Sequence, residues 1–230
     1  MIIIQGNSTV KIQGGCLSIN NNLGGSILLS GTSTSYLTIT NDVDFQFETG
    51  DFTVEWFQYQ TDSNMFTRPW SQGSWPSSSI SVSLEMGNFY YWEGGILIDQ
   101  GSIGTYKNIW THFAISRSGS IIKTFKNGVQ FGPNITSSFN YTGTDDLCIG
   151  NQTDHLSSAA FGGNMTNFRW TKGTSIYTSN FQVPTRPLQS LTNTKLLLLS
   201  STESTIVKDS SSSNKTVNYS NINWSSSSPF

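Results

Sequence analysis

Charge is scarce in this sequence. Asp, Glu, Lys and Arg make up 11% of its 230 residues, less than half the ~25% of an average domain. The net charge is −2 and no Lys/Arg cluster occurs. The counterion release that drives nucleic-acid binding therefore has nothing to act through, and nucleic acid and anionic membrane surfaces are not expected as partners. Long apolar runs are missing too. The opening MIIIQGN places Ile2, Ile3 and Ile4 before a polar break, which reads as neither a signal peptide nor a membrane anchor, and no membrane insertion is expected. No segment carries the 3.6-residue apolar period of an amphipathic helix. The two cysteines, Cys16 and Cys148, are too few for a disulfide scaffold and lack metal-ligand spacing. Both lie in strand-like runs, as two buried thiols or as one disulfide. The two histidines, His112 and His155, are far apart and belong to no nucleophile system. His112 alternates with Phe113 in WTHFAISR and reads as an imidazole hydrogen-bonded at a sheet surface.

What is present points to an all-β chain. Aromatics reach 13%, and short alternating runs are broken by Gly, Asn-Gly and Ser clusters, as in a sandwich. Strands are expected at 26–30, 36–39, 52–59, 79–86, 88–93, 95–99, 110–117, 121–126, 129–132, 146–150, 164–170 and 195–200. In IIKTFKNGVQFG, Asn127-Gly128 separates two alternating runs, the signature of a type I′ hairpin whose turn residues both need φ > 0. Residues 171–191 read as one long ordered connection with a short helical turn near SIYTS, since Pro184 and Pro187 exclude a central strand. TVNYSNINW reads as a last, weakly specified strand or two. No boundary divides the chain. It reads as one domain over 1–230, with 1–25 as an N-terminal strand extension, 26–200 as the core and 201–230 as a Ser-rich closing segment.

The pieces SYLTI, DFQFETGDFTVEWFQY, IWTHFAISRSG, FKNGVQF, LCIG, FGGNMTNFRWTKGTSIYTSNFQVPTRPL and TKLLLL follow one another in this order. With the terminal KDSSSSNKT…SPF, they resemble the concanavalin A-like superfamily, specifically the laminin G-like jelly rolls of phage and large DNA virus surface and structural proteins. The resemblance implies a two-sheet antiparallel jelly-roll sandwich with almost no helix. It also implies a virion or extracellular-surface location, and glycans or other virion structural proteins as partners, with homo-oligomers or larger assemblies admitted. It does not fix a function, because one fold hosts many. Nothing in the sequence requires a cofactor. Relatives of this kind often hold calcium with loop carboxylates, and the candidates here are Asp42, Asp44, Asp145, Asp146 and Asp154; the alternative is that these residues cap turns.

A glycoside hydrolase needs two carboxyl groups, about 5–5.5 Å apart for retention and about 6.5–9.5 Å for inversion. The E-x-D-x-x-E strand pattern of the glucanases is absent. Glu55, in DFTVEWFQY, has no acid at a usable spacing on its own strand, which leaves Glu85 or Glu93 on a neighbouring strand as its partner in any catalytic reading. On a strand, Phe52, Val54 and Trp56 share one face and form a core stripe, while Thr53, Glu55, Phe57 and Tyr59 share the other. A lone carboxylate there is costly unless paired, so Glu55 is expected to accept from Arg169, from Arg117, or from backbone N–H groups of the 171–188 connection. The chain therefore reads as non-enzymatic. Sugar binding needs an aromatic platform with a few polar groups. Trp70, Trp75, Tyr90, Tyr91 and Trp92, beside Arg68 and Gln72, are the candidates, with packing under loops or against another subunit as the alternative.

Overall fold

The structure, a computed structural model, describes residues 9–13, 16–20, 24–74 and 80–230. The first strands are β1 (Thr9–Gln13), β2 (Cys16–Asn20), β3 (Ser26–Ser30), β4 (Tyr36–Ile39), β5 (Phe52–Gln60) and β6 (Phe66–Gln72). They are followed by β7 (Ile80–Glu85), β8 (Asn88–Glu93), β9 (Ile96–Ser102), β10 (Thr111–Ser118), β11 (Ile121–Lys126) and β12 (Val129–Thr136). The chain closes with β13 (Leu147–Ile149), β14 (Gly162–Lys172), β15 (Thr194–Leu198), β16 (Asn218–Ser220) and β17 (Ile222–Ser225). Helix among the described residues is confined to short 3-10 turns such as Val43–Phe45.

Two antiparallel sheets carry the fold. One runs β12-β11-β10-β5-β14-β3-β17, with β15 also paired to β14; the other runs β16-β4-β13-β6-β7-β8-β9. Alternation decides which side chains lie between them. Phe52, Val54 and Trp56 of β5 meet Trp70 of β6, Val82 of β7, and Phe89 and Tyr91 of β8 in one core. Trp70 sits edge-on between Trp56 (5.9 Å) and Trp170 (5.7 Å), and Phe47 stacks on Phe52 at 4.1 Å. These large rings bury the apolar area that stabilises the sandwich, at roughly 25 cal/mol per Å².

Most expected strands form at or within two residues of their expected ends, and TVNYSNINW becomes β16 and β17. β6 is not among the strands expected from sequence, and its segment FTRPWSQ carries Pro69. The strand is nevertheless central in its sheet, since the register shifts between Thr67 and Trp70 and the proline falls in that bulge. Asn127 and Gly128 have φ 49° and 76°, as a type I′ turn requires.

Residues 173–191 form no helical turn. They lie as an irregular strap across the outer face of β5, β10, β11 and β14. Sheet side chains take the place of helical hydrogen bonds: the Ile176 amide donates to Thr53 Oγ1 (2.9 Å) and the Leu188 amide to Asn167 Oδ1 (2.7 Å). Tyr177 and Phe181 stack at 3.6 Å, and Phe181 meets the rings of Phe125 (5.4 Å) and His112 (5.7 Å). Gly128 lies so close to the strap that an added Cβ would stand 2.0 Å from the Phe181 carbonyl oxygen.

Candidate functional site

Among the described residues, no such strap crosses the outer face of the second sheet. Alternation on β7 and β8 sends Ser81, Ser83 and Glu85, with Tyr90 and Trp92, away from the core. Phe66 pairs opposite Glu85, and the β6 bulge turns Arg68 towards Ser81 and Trp92 on the same face. With Leu97 of β9 and the loop residues Gln152, Asp154 and Leu156, these side chains enclose a pocket of about 350 Å³ lined by Phe66, Arg68, Glu85, Trp92, Leu97, Gln152, Asp154 and Leu156.

Arg68 is the floor of this pocket and is only 1% exposed. Its Nη1 donates to Ser81 Oγ (2.7 Å), and its guanidinium lies 4.7 Å from the centre of the Trp92 ring and 5.6 Å from that of Phe66. Its Nε has no hydrogen-bond partner among the described residues, and no carboxylate there forms an ion pair with it. Burial pushes the guanidinium down to about 10 against the pull of Glu85 and Asp154. A buried cation without a contact counter-ion retains unspent hydrogen-bonding capacity. The other polar groups are held in place by their neighbours: Trp92 Nε1 donates to Ser83 Oγ (2.8 Å), which donates to Glu85 Oε1 (2.8 Å), and Gln152 donates to Asp154 Oδ1 (2.6 Å). Leu97 and Leu156, 43% and 46% exposed, form an apolar rim.

The aromatic platform expected from sequence is thus divided. Arg68 and Trp92 line the pocket, and Tyr90 lies half-buried on the same sheet face. Trp70 and Tyr91 are core residues, not platform residues, because alternation points them between the sheets, where the Tyr91 hydroxyl bonds that of Tyr141 (2.5 Å). Gln72 is fully buried at the end of β6 and reaches Asn41 Oδ1 at 3.3 Å. Trp75 lies outside the described residues. Phe66, Leu97, Gln152 and Leu156 were missed. Their β-strand or loop positions carry no motif, and only the cross-strand register of β6 to β9 could have brought them together.

The carboxylates expected as calcium ligands lie in separate surroundings. Asp42 and Asp44 receive Lys215 (3.0 and 2.8 Å), and Asp44 also receives Lys195 (3.0 Å). Asp146 accepts the Asn41 amide (2.8 Å), Asp145 is exposed, and Asp154 belongs to the pocket. No three His, Cys, Asp or Glu side chains among the described residues converge as metal ligands do. Cys148 is a free, buried thiol; the Cys16 side chain lies outside the described residues.

Glu55 is fully buried beneath the strap. Arg169 donates to its Oε1 through Nε (2.9 Å) and Nη2, His112 Nε2 meets its Oε2 at 3.1 Å, and the Tyr177 hydroxyl donates to Oε2 at 2.8 Å. Burial alone would raise this carboxyl; the His112 hydrogen bond and the Arg169 charge outweigh it and hold it below its ordinary value. His112 Nδ1 is buried without a partner among the described residues, and Nε2 is the ring nitrogen that meets Glu55. Arg117 does not reach Glu55: it donates to the carbonyls of Gly119, Ser137 and Phe139. The alternative partners in the connection, its backbone amides, are replaced by the Tyr177 hydroxyl. Glu93 is likewise engaged, accepting from Ser137 (2.8 Å) and Tyr141 (2.5 Å).

No protein-family model matches the chain, and no curated protein matches it significantly in sequence. Solved structures do match in shape. A putative carbohydrate binding protein from Bacteroides ovatus aligns over 87% of this chain and 59% of its own, at 12% identity and TM-score 0.59. A Ruminococcus gnavus IT-sialidase CBM40 bound to α2,3-sialyllactose aligns over 66% and 91%, at 14% identity and TM-score 0.52. Mouse laminin α1 domains LG4-5 align over 75% and 48%, at 13% identity and TM-score 0.50. At such identities the likeness shows the fold alone, a two-sheet antiparallel jelly-roll sandwich.

Proposed function

We propose that this protein is a non-enzymatic recognition module that binds a glycan in the Arg68 pocket. The observation that carries the proposal is the pocket itself: a buried guanidinium with spare donor capacity, fixed polar acceptors, and apolar walls on the outer face of the second sheet. Sugars present apolar C–H faces and hydroxyl rims, and this mixture is their complement. The likeness to a carbohydrate binding protein and to a sialyllactose-bound module supports the reading by analogy of fold. The burial of Glu55 under four hydrogen bonds supports a binding role over hydrolysis, since a catalytic acid must reach substrate. We place the module on a virion, phage or other extracellular surface, acting in attachment or assembly, on the strength of the sequence resemblance and the polar, weakly charged composition.

A glycan array tests the proposal. Hits are expected with the wild-type chain and are expected to disappear in Arg68→Ala and Gln152→Ala variants that keep the wild-type circular dichroism; a folded protein with no hits overturns it. A second reading, a purely structural capsid or fibre component, is favoured by the exposed Leu97 and Leu156 on the pocket rim. In that case another chain covers this rim, and charge introduced at Leu97 blocks assembly without any effect on sugar.

A further inference from the structure

The chemistry of the pocket narrows the sugar, on the premise that the pocket is a glycan site. Three features stand together: a guanidinium donor at the floor, carboxylate acceptors at Glu85 and Asp154, and apolar walls from Phe66, Leu97 and Leu156. A hexose without substituents would satisfy the polar groups but would press hydroxyls against Leu97 and Leu156, where they lose water and gain no partner. A sugar acid would bring a negative charge to a lining that holds two carboxylates against one cation, and like charges brought together repel. An acetamido group matches all three features, because it carries one acceptor, one donor and one methyl within a few bonds. We propose that the pocket takes an N-acetylhexosamine, with the acetamido carbonyl accepting from Arg68, its N–H donating to Glu85 or Asp154, and its methyl seated between Phe66, Leu97 and Leu156. The order of the groups in the pocket fits: Glu85 Oε1 is already fixed by Ser83, which leaves Oε2 without a bond to that serine, while Asp154 is oriented by Gln152.

Titration calorimetry of the full chain decides the matter, with oligosaccharides of N-acetylglucosamine and N-acetylgalactosamine, the matching glucose and galactose oligosaccharides, and N-acetylneuraminic acid. The N-acetylated ligands are expected to bind at least about tenfold more tightly than the parent hexoses, a difference of about 1.4 kcal/mol. Arg68→Lys, which keeps the charge but loses the planar fork, is expected to reduce that ratio towards one. Leu156→Asp, at an exposed wall position with little part in folding, is expected to do the same by removing the methyl seat. Equal affinity for acetylated and parent sugars overturns the acetamido assignment and leaves the glycan reading standing. Preference for the sugar acid overturns the charge argument and with it the assignment. If no sugar binds to the folded wild-type protein, the glycan reading itself falls.

Discussion

Glu55 has no exposed surface and four polar contacts, so removing its charge leaves Arg169 and His112 facing an uncharged group in the interior. Glu55→Gln keeps the shape of the side chain but strands the guanidinium, and losing one partner of a buried pair costs about 3–5 kcal/mol. The denaturant midpoint is expected to fall accordingly. Tyr177→Phe, which removes a single donor to the same carboxylate, is expected to cost only about 1–3 kcal/mol. The same residue sets a pH dependence. Its carboxyl titrates lower in the folded chain than in the unfolded one, so its stabilisation is complete above the ordinary carboxylate value and is lost as pH falls through the lower, folded value. Asp42, held low first by the Asp44 amide and then by Lys215, adds in the same direction, as does Asp44, where Lys215 and Lys195 outweigh burial. Wild type is therefore expected to lose stability below about pH 4.5, and Glu55→Gln to show a shallower loss in acid denaturation followed by fluorescence. At this scale the sequence was informative. A lone carboxylate in an apolar alternating run demands a partner, and Arg169 supplied it. The Tyr177 hydroxyl stayed hidden because it reaches Glu55 from a segment without periodicity.

Among elements, the strap over 173–191 and the β11–β12 hairpin are locked together at Gly128. Ala at this position meets a φ of 76° and a carbonyl oxygen at 2.0 Å from its Cβ. Left-handed backbone alone costs a non-glycine residue about 1–2 kcal/mol, and the clash adds strap displacement. Gly128→Ala is expected to lower the melting temperature by more than Gly119→Ala, whose Cβ would meet open space at a similar φ of 59°. Faster hydrogen exchange at the Phe181 amide, which donates to the Gly128 carbonyl at 2.8 Å, would locate the effect in the strap. The strands that sequence reasoning captured are those with plain alternation, such as β5, β8 and β11. It missed β6, where a proline in a bulge hides a central strand, and it expected a helical turn where the chain instead borrows hydrogen bonds from the sheet below. The pocket depends on that missed strand. Without β6 there is no register to bring Arg68 against Trp92, and the aromatic cluster was read as one platform although alternation splits it between core and surface.

Over the whole molecule, the last segment closes both layers at once. β16 adds to β4 in one sheet and β17 adds to β3 in the other, with only Asn221 between them. Trp224 donates to the Ser200 carbonyl (3.1 Å), and the Phe230 ring lies 5.2 Å from that of Phe57. Removing residues 218–230 uncovers an edge of each sheet, and unpaired edges template association. The truncated chain is expected to aggregate at concentrations where the full chain stays dispersed, as read by light scattering.

The pairing of β17 with β3 also fixes how the molecule answers tension. Ser225 stands opposite Ser26, and the Ser227 carbonyl accepts from the Ser26 hydroxyl (2.7 Å), so residues 24 and 230 leave from the same rim. A pull between these two points peels β17 from β3 one hydrogen bond at a time instead of shearing the whole ladder together. Optical-tweezer traces are expected to show β17 detaching from β3 in an early low-force step, with the remaining sandwich yielding only later. A particle tethered through both ends of this module would therefore meet a yielding joint before a rigid body.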